Sequence, residues 1–238
     1  MTMMKAIIIP MVLILVSPGA TAGLWQKRAV FLQKSNSNYV KLVPLEYQNL
    51  HALTLCMRLA SEEVDGRDVI LFSYASSSTP NEVHMWREQD GRYSFYLKDN
   101  VTYFKLPTLD ALVQHLCVTW DSATGQTAFW INGRPTLTKF LARDHTIAQP
   151  VVVMIGQDQD SLGGSFEEKQ SFVGEQADVH LWDYVLSADE IKAVSQGCSL
   201  LGGNILNWDR GEAVTGGIVS LQSACRTCSS CNTCSPSV

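Results

Sequence analysis

Two stretches alternate apolar and other side chains with the period of a strand buried on one side. In Leu53-Thr54-Leu55-Cys56-Met57-Arg58-Leu59 the leucines and Met57 share a face, and in His115-Leu116-Cys117-Val118-Thr119-Trp120 so do Leu116, Val118 and Trp120. Each cysteine falls on the opposite face. The run Thr127-Ala128-Phe129-Trp130-Ile131, then Asn132-Gly133, then Pro135-Thr136-Leu137-Thr138 predicts a hairpin, because Asn-Gly supplies the positive φ angles of a tight turn. A second hairpin is centred near Asp90-Gly91; a three-residue turn over Asp90-Gly91-Arg92 would set Trp86 opposite Tyr96. The helix signal starts at Ser187, whose spacing to Glu190 is that of a capping box, carries Ile191 and Val194 on one face and stops before Gly197. One short helix among many strands predicts an all-β sandwich with the helix laid on a face.

The N-terminus has a different pattern. Residues 1–22 hold a single charge at Lys5, an apolar run over 6–16 and the small residues of Pro18-Gly19-Ala20-Thr21-Ala22, the layout of a cleaved secretory signal. A retained membrane anchor needs about 20 continuous apolar residues, and this run is shorter and broken by Pro10. The division expected is therefore a signal peptide at 1–22, one domain at 23–222 and a cysteine-rich tail at 223–238, in a secreted, extracellular protein without a membrane span. Composition changes the picture only in sign: 23 acidic against 18 basic residues give a net charge of −5, so no broad positive field attracts nucleic acid. In an extracellular setting Asn100-Val101-Thr102 is a candidate glycosylation sequon at Asn100.

Oxygen-bearing side chains concentrate in 156–170, Gly-Gln-Asp-Gln-Asp-Ser-Leu-Gly-Gly-Ser-Phe-Glu-Glu-Lys-Gln. Calcium takes six to eight oxygens, and the glycine pair lets Glu167 and Gln170 approach Asp158 and Asp160. The spacing is not that of an EF-hand, and a merely solvated acidic loop is the alternative.

The segment His115-Leu116-Cys117-Val118-Thr119-Trp120-Asp121-Ser122 resembles the signature of the pentraxin family, and the likeness extends from about Phe31 to Trp208. The resemblance implies a flattened jelly-roll β-sandwich of the concanavalin/laminin G-like kind. It implies a disulfide between Cys56 and Cys117, two buried free thiols being the alternative. It also implies two adjacent calcium ions on Asn81, Asp158, Gln159, Asp160, Glu167 and Gln170. Two positions depart from the family: Pro80 stands where an Asp is usual, and Asp158 where a Glu is usual, which weakens the first calcium site. In pentraxins the ions hold phosphate or carboxylate oxygens of the ligand. Trp86 and Tyr96 match aromatic pocket positions suited to a cationic headgroup or a sugar face, with plain cross-strand packing as the other reading. The carboxylate that meets choline in the family is missing from Asp99-Asn100-Val101, and Asn132 and Ser195 alter the complement-binding face. The function implied is calcium-dependent, lectin-like pattern recognition of phosphocholine, phosphoethanolamine or carbohydrate on microbes or debris, by a ring-shaped homo-oligomer with a pentamer as the expected size.

Cys198 and the tail cysteines Cys225, Cys228, Cys231 and Cys234 lie outside this pattern and suggest interchain or mixed disulfides, with a thiolate metal site as the alternative. Two further function classes are a laminin G-like adhesion module binding a protein partner and a sandwich-fold glycosidase. The latter needs a carboxylate pair about 5 Å apart on a rigid strand, and Glu63 and Asp68 flank the turn-forming Gly66 instead. The five histidines show no zinc-protease spacing, and no catalytic residue is expected.

Overall fold

The computed structural model describes residues 21–22, 24, 26–63, 66–197 and 201–224. In chain order the longer strands are β1 (Lys27–Phe31), β2 (Tyr39–Leu42), β3 (Ala52–Ala60), β4 (Val69–Ser76), β5 (Val83–Arg87) and β6 (Tyr93–Leu97). They continue as β7 (Asn100–Phe104), β8 (Gln114–Asp121), β9 (Gln126–Ile131), β10 (Pro150–Ile155), β11 (Gly174–Trp182), β12 (Glu212–Gly216) and β13 (Ser220–Ser223). One antiparallel sheet runs β12-β2-β10-β4-β5-β6-β7, with Thr21–Ala22 on its β12 edge. The other runs β9-β8-β3-β11-β1-β13. The sandwich expected from the alternation is thus present, and its core is the contact of the two inner faces. Leu55, Met57, Leu59, Val118 and Phe129 of the second sheet meet Val40, Phe72, Met85, Phe95 and Val153 of the first in one apolar cluster.

The outer face of the second sheet explains why the cysteines alternate with core residues. Cys56 and Cys117 are direct cross-strand partners of β3 and β8 and are joined as a disulfide, so the free-thiol reading does not hold. With Trp182, Leu186 and Ile191 they form a small apolar cluster beneath helix α1 (Ala188–Ser195). The helix starts where the capping box predicts: the Glu190 N–H donates to Ser187 Oγ (3.3 Å), and the Ser187 N–H donates to Glu190 Oε2 (2.7 Å). Asn132 and Gly133, at φ 50° and 77°, make the predicted two-residue turn. A Cβ on Gly133 would stand 2.7 Å from Ser195 Oγ, so this hairpin tip abuts the end of α1.

The second hairpin corrects the expected register. The Glu88 N–H donates to the Arg92 carbonyl (2.8 Å) and the Gly91 N–H to the Glu88 carbonyl (2.9 Å). The turn residues are therefore Gln89, Asp90 and Gly91, one position earlier than expected. A one-residue shift of the turn moves every partner by two, so Trp86 faces Ser94, and Tyr96 faces His84. Because side chains alternate, the shift by two keeps Trp86 and Tyr96 on one face as diagonal neighbours.

No helix among the described residues is long and apolar enough to cross a membrane. Residues 1–20 of the expected signal, Cys198, and the tail cysteines Cys225, Cys228, Cys231 and Cys234 lie outside the described residues.

Candidate functional site

The oxygen-rich loop lies on the outer face of the first sheet. It leaves β10 at Gly156, at φ 90°, where a Cβ would stand 2.3 Å from the Phe31 ring. It returns when the Phe172 N–H donates to the Gly156 carbonyl (3.1 Å), with the Phe172 ring edge-on to Phe31. Between these ends neutral amides pin it down. Gln157 Nε2 donates to the carbonyls of Ser35 (2.6 Å) and Asn38 (2.9 Å). Gln159 Nε2 donates to Ser73 Oγ (3.1 Å) on β4, and its Oε1 accepts the Gly163 N–H (3.0 Å). The side chain of Gln159 is thus spent on holding the loop.

With both amides used as anchors, the remaining charged groups of the loop act on one another electrostatically. Asp158 is 4% exposed, and burial pushes its carboxyl up to about 7, helped by the nearby negative charges of Asp160 and Glu167. Three carboxylates therefore share one neighbourhood. Glu167 also meets Lys169 Nζ at 3.0 Å, an exposed pair with little energetic weight. Asp158 Oδ1 and Gln170 Oε1 are buried without a hydrogen-bond partner. An orphaned buried oxygen costs about 1–3 kcal/mol, and a hard cation is a partner of the kind such oxygens take. Of the residues expected from sequence, Asp160 and Glu167 lie within electrostatic reach of Asp158, and Gln170 adds a buried oxygen without a hydrogen-bond partner further along the loop. Asn81 stands exposed on the adjoining turn, its N–H donating to Thr79 Oγ1 (3.1 Å).

Sequence reasoning missed His84. It is buried on β5, with Nδ1 3.4 Å from Asp158 Oδ1 and Nε2 between Ser73 Oγ (3.4 Å) and the Pro80 carbonyl (3.3 Å). Burial pushes its imidazole down to about 4, so it is neutral. His84 thereby links the turn that carries Asn81 to the oxygen-rich loop. Its position two residues before Trp86, on the strand face that the loop covers, was the available signal. Next to it stand Trp86, its ring centroid 6.0 Å from that of His84, and Tyr96, whose hydroxyl lies 3.3 Å from that of Tyr103. Both aromatic side chains are half-buried rather than sealed.

Other candidates resolve differently. Cys56, Cys117 and His115 converge, but the sulfurs are bonded to each other and supply no thiolate for a metal. Glu63 is held by Arg67 and Lys34, and Asp68 Oδ1 accepts the Gln89 N–H (2.8 Å). Both acids lie on the irregular connection between β3 and β4, not on the rigid strand that a glycosidase pair requires. Asn100 is exposed at the start of β7. Asn132 Oδ1 accepts the His115 N–H (2.8 Å), a structural use of the side chain.

The profile of the Pentaxin family matches residues 27–222. The chain is 45% identical over 193 residues to C-reactive protein of Danio rerio, covering 79% of this chain and 85% of that protein. It is 38% identical over 189 residues to serum amyloid P-component of Cavia porcellus, covering 79% and 83%. A native heptameric SAP-like pentraxin from Limulus polyphemus superposes with a TM-score of 0.71 at 23% identity, covering 86% of this chain and 98% of that one. A profile matching most of the chain, relatives of this identity and a sandwich of the same shape agree with the His115–Ser122 signature: the chain belongs to the pentraxin family.

Proposed function

We propose that this chain is a secreted, calcium-dependent recognition protein of innate immunity that binds phosphorylated or anionic headgroups and glycans on microbes and debris. The observation that carries the reading is the loop in which the charges of Asp160 and Glu167 act on the buried Asp158 carboxyl while Asp158 Oδ1 and Gln170 Oε1 have no hydrogen-bond partner. Asp158, Asp160, Glu167 and Gln170 would hold one calcium ion. Asn81, without a carboxylate at Pro80, leaves the first calcium site, that of the other ion, more weakly held. Calcium bound there would supply positive charge for a ligand's phosphate or carboxylate oxygens, so an acidic protein gains an anion site. His84 and Gln159 fix the loop to β4 and β5, and Trp86 and Tyr96 flank it. The similarity to C-reactive protein and serum amyloid P-component supports the same class.

The reading includes a signal peptide at 1–22, a recognition domain at 23–222 and a homo-oligomer, a pentamer being the expected size. The SAP-like relative is heptameric, so ring size needs measurement, and light scattering provides it. Stapling through the tail cysteines would appear as covalent multimers on non-reducing gels that collapse with reductant. The central test is retention on phosphoethanolamine or agarose resin. The wild type should be retained with calcium and released by EDTA, and Asp160→Asn combined with Glu167→Gln should abolish retention while the circular dichroism stays that of the sandwich. Retention that survives EDTA would instead favour an adhesion module with a metal-independent partner.

A further inference from the structure

A groove of 460 Å³ opens on the second sheet beside the C-terminal end of α1. Ser195, Gln196 and Gly197 form one wall, where the Gly197 N–H donates to the Val194 carbonyl (3.0 Å) as the helix ends. Ser223 and Ala224 form the other: β13 runs along the β1 edge, and beyond it the Ala224 N–H donates to the Gln26 carbonyl (2.7 Å). Backbone hydrogen bonds thus fix both walls. Each wall ends where a cysteine is next in the sequence, Cys198 after Gly197 and Cys225 after Ala224.

The charges lining the groove cancel. Arg28 Nη1 meets Glu175 Oε2 at 3.0 Å, and its Nη2 donates to Gln222 Oε1 (3.1 Å). Arg58 Nε meets Asp178 Oδ2 at 2.8 Å, and its Nη2 donates to the Ser195 carbonyl (2.9 Å). With two cations and two anions the lining is polar but has no net charge, so it offers nothing to steer a strongly acidic or basic partner. Neutral hydroxyls and amides fit it. Residues 225–238, Cys-Arg-Thr-Cys-Ser-Ser-Cys-Asn-Thr-Cys-Ser-Pro-Ser-Val, are a segment of that kind, with Arg226 as the sole charged side chain. The segment also starts at the rim of the groove, so its docking is intramolecular and escapes the entropy cost that a separate partner would bear.

We propose that the tail docks into this groove of its own chain and is tethered at the mouth by a disulfide between Cys198 and Cys225. One Cα step from each wall plus one disulfide spans up to about 14 Å, and the walls of a compact 460 Å³ space stand closer than that. As the S–S bond forms, the two thiols give up two protons and two electrons. A small-molecule disulfide such as oxidised glutathione takes them and leaves as two thiols. Together with Cys56–Cys117 this bond accounts for four of the seven cysteines. Three remain, Cys228, Cys231 and Cys234, and an odd number leaves one over for a bridge to another chain. The inference makes no use of the calcium site, so either can fail without the other.

The test uses the full chain as secreted, with free thiols alkylated and disulfides left intact. Trypsin sorts the cysteines: cleavage after Lys192, Arg210 and Arg226 puts Cys198 in 193–210, Cys225 in 211–226 and the other three in 227–238. Mass spectrometry of the single-chain band from a non-reducing gel should find 193–210 joined to 211–226. Alkylated Cys198 or Cys225 in that band, or either one joined to 227–238, would overturn the disulfide. The triple variant Cys228→Ser, Cys231→Ser, Cys234→Ser keeps the proposed pair and should run as a single chain without a free thiol. A covalent dimer, or two free thiols, would count against the pairing. Docking is read by carbodiimide labelling of Glu175, which should be several-fold faster in a chain ended after Ala224 and carrying Cys198→Ser than in the full chain. Equal labelling of the two proteins, both with the circular dichroism of the sandwich, would overturn the docking.

Discussion

On the second sheet the outer-face residues Cys56, Cys117 and Trp182 are sealed under Leu186 and Ile191 of α1. On the first sheet Ala75, Val152 and Met154 are also buried, but the apolar groups packed over them, Tyr39 and Phe166, are themselves only half-buried, and the covering loop is rich in amides and carboxylates. Apolar packing completes one cover without help. The other holds its shape through Gln157 and Gln159 but buries oxygens that have no partner. The contrast separates the part of the fold that supplies stability from the part that gives some of it up at the candidate binding site.

Four changes would break or sharpen this contrast. Replacing both Cys56 and Cys117 with Ala should lower the unfolding free energy by about 2–4 kcal/mol in urea titrations, while the calcium affinity stays within error of wild type. A large loss of calcium affinity would show that the two covers are coupled. In the other direction, calcium at about 100 times its Kd should raise wild-type stability by about 2.7 kcal/mol. That gain should vanish in the Asp160→Asn, Glu167→Gln protein, whose stability in EDTA should not fall because a mutual repulsion has been removed. Pro80→Asp adds a carboxylate beside Asn81, and isothermal titration should report about tenfold tighter calcium binding, or about 1.4 kcal/mol. Equal or weaker affinity would mean that the Asn81 turn does not join the metal site. The smallest effect is expected at the helix: Ser187→Ala removes the capping hydroxyl and should cost about 1 kcal/mol, with no change in calcium binding.

Strand alternation around Cys56 and Cys117, the Asn132-Gly133 turn and the Ser187 cap were legible because each depends on neighbours within a few residues. The disulfide needed the resemblance as well, since spacing alone does not choose among seven cysteines. The Asp90-Gly91 hairpin was found but misregistered. Gly91, at φ 82°, fits the last position of a turn that starts at Gln89, and it fits the middle of one that starts at Asp90. In the candidate site, the acid-rich composition of 156–170 and the resemblance pointed to the loop whose Asp158 is buried within electrostatic reach of Asp160 and Glu167. The dual role of its glutamines and the placing of His84 beneath it did not show, because both depend on which strand the loop lands on.

Gly156 has one more consequence, and it concerns rates. Its α-carbon sits so near the Phe31 ring that no side chain fits there, and Phe172 clamps the far end of the loop to the same ring. Both ends of the loop are therefore fastened to the core before any ion arrives. Metal capture should then require little chain ordering: association should be fast, the heat-capacity change small, and the affinity set mainly by how slowly the ion leaves.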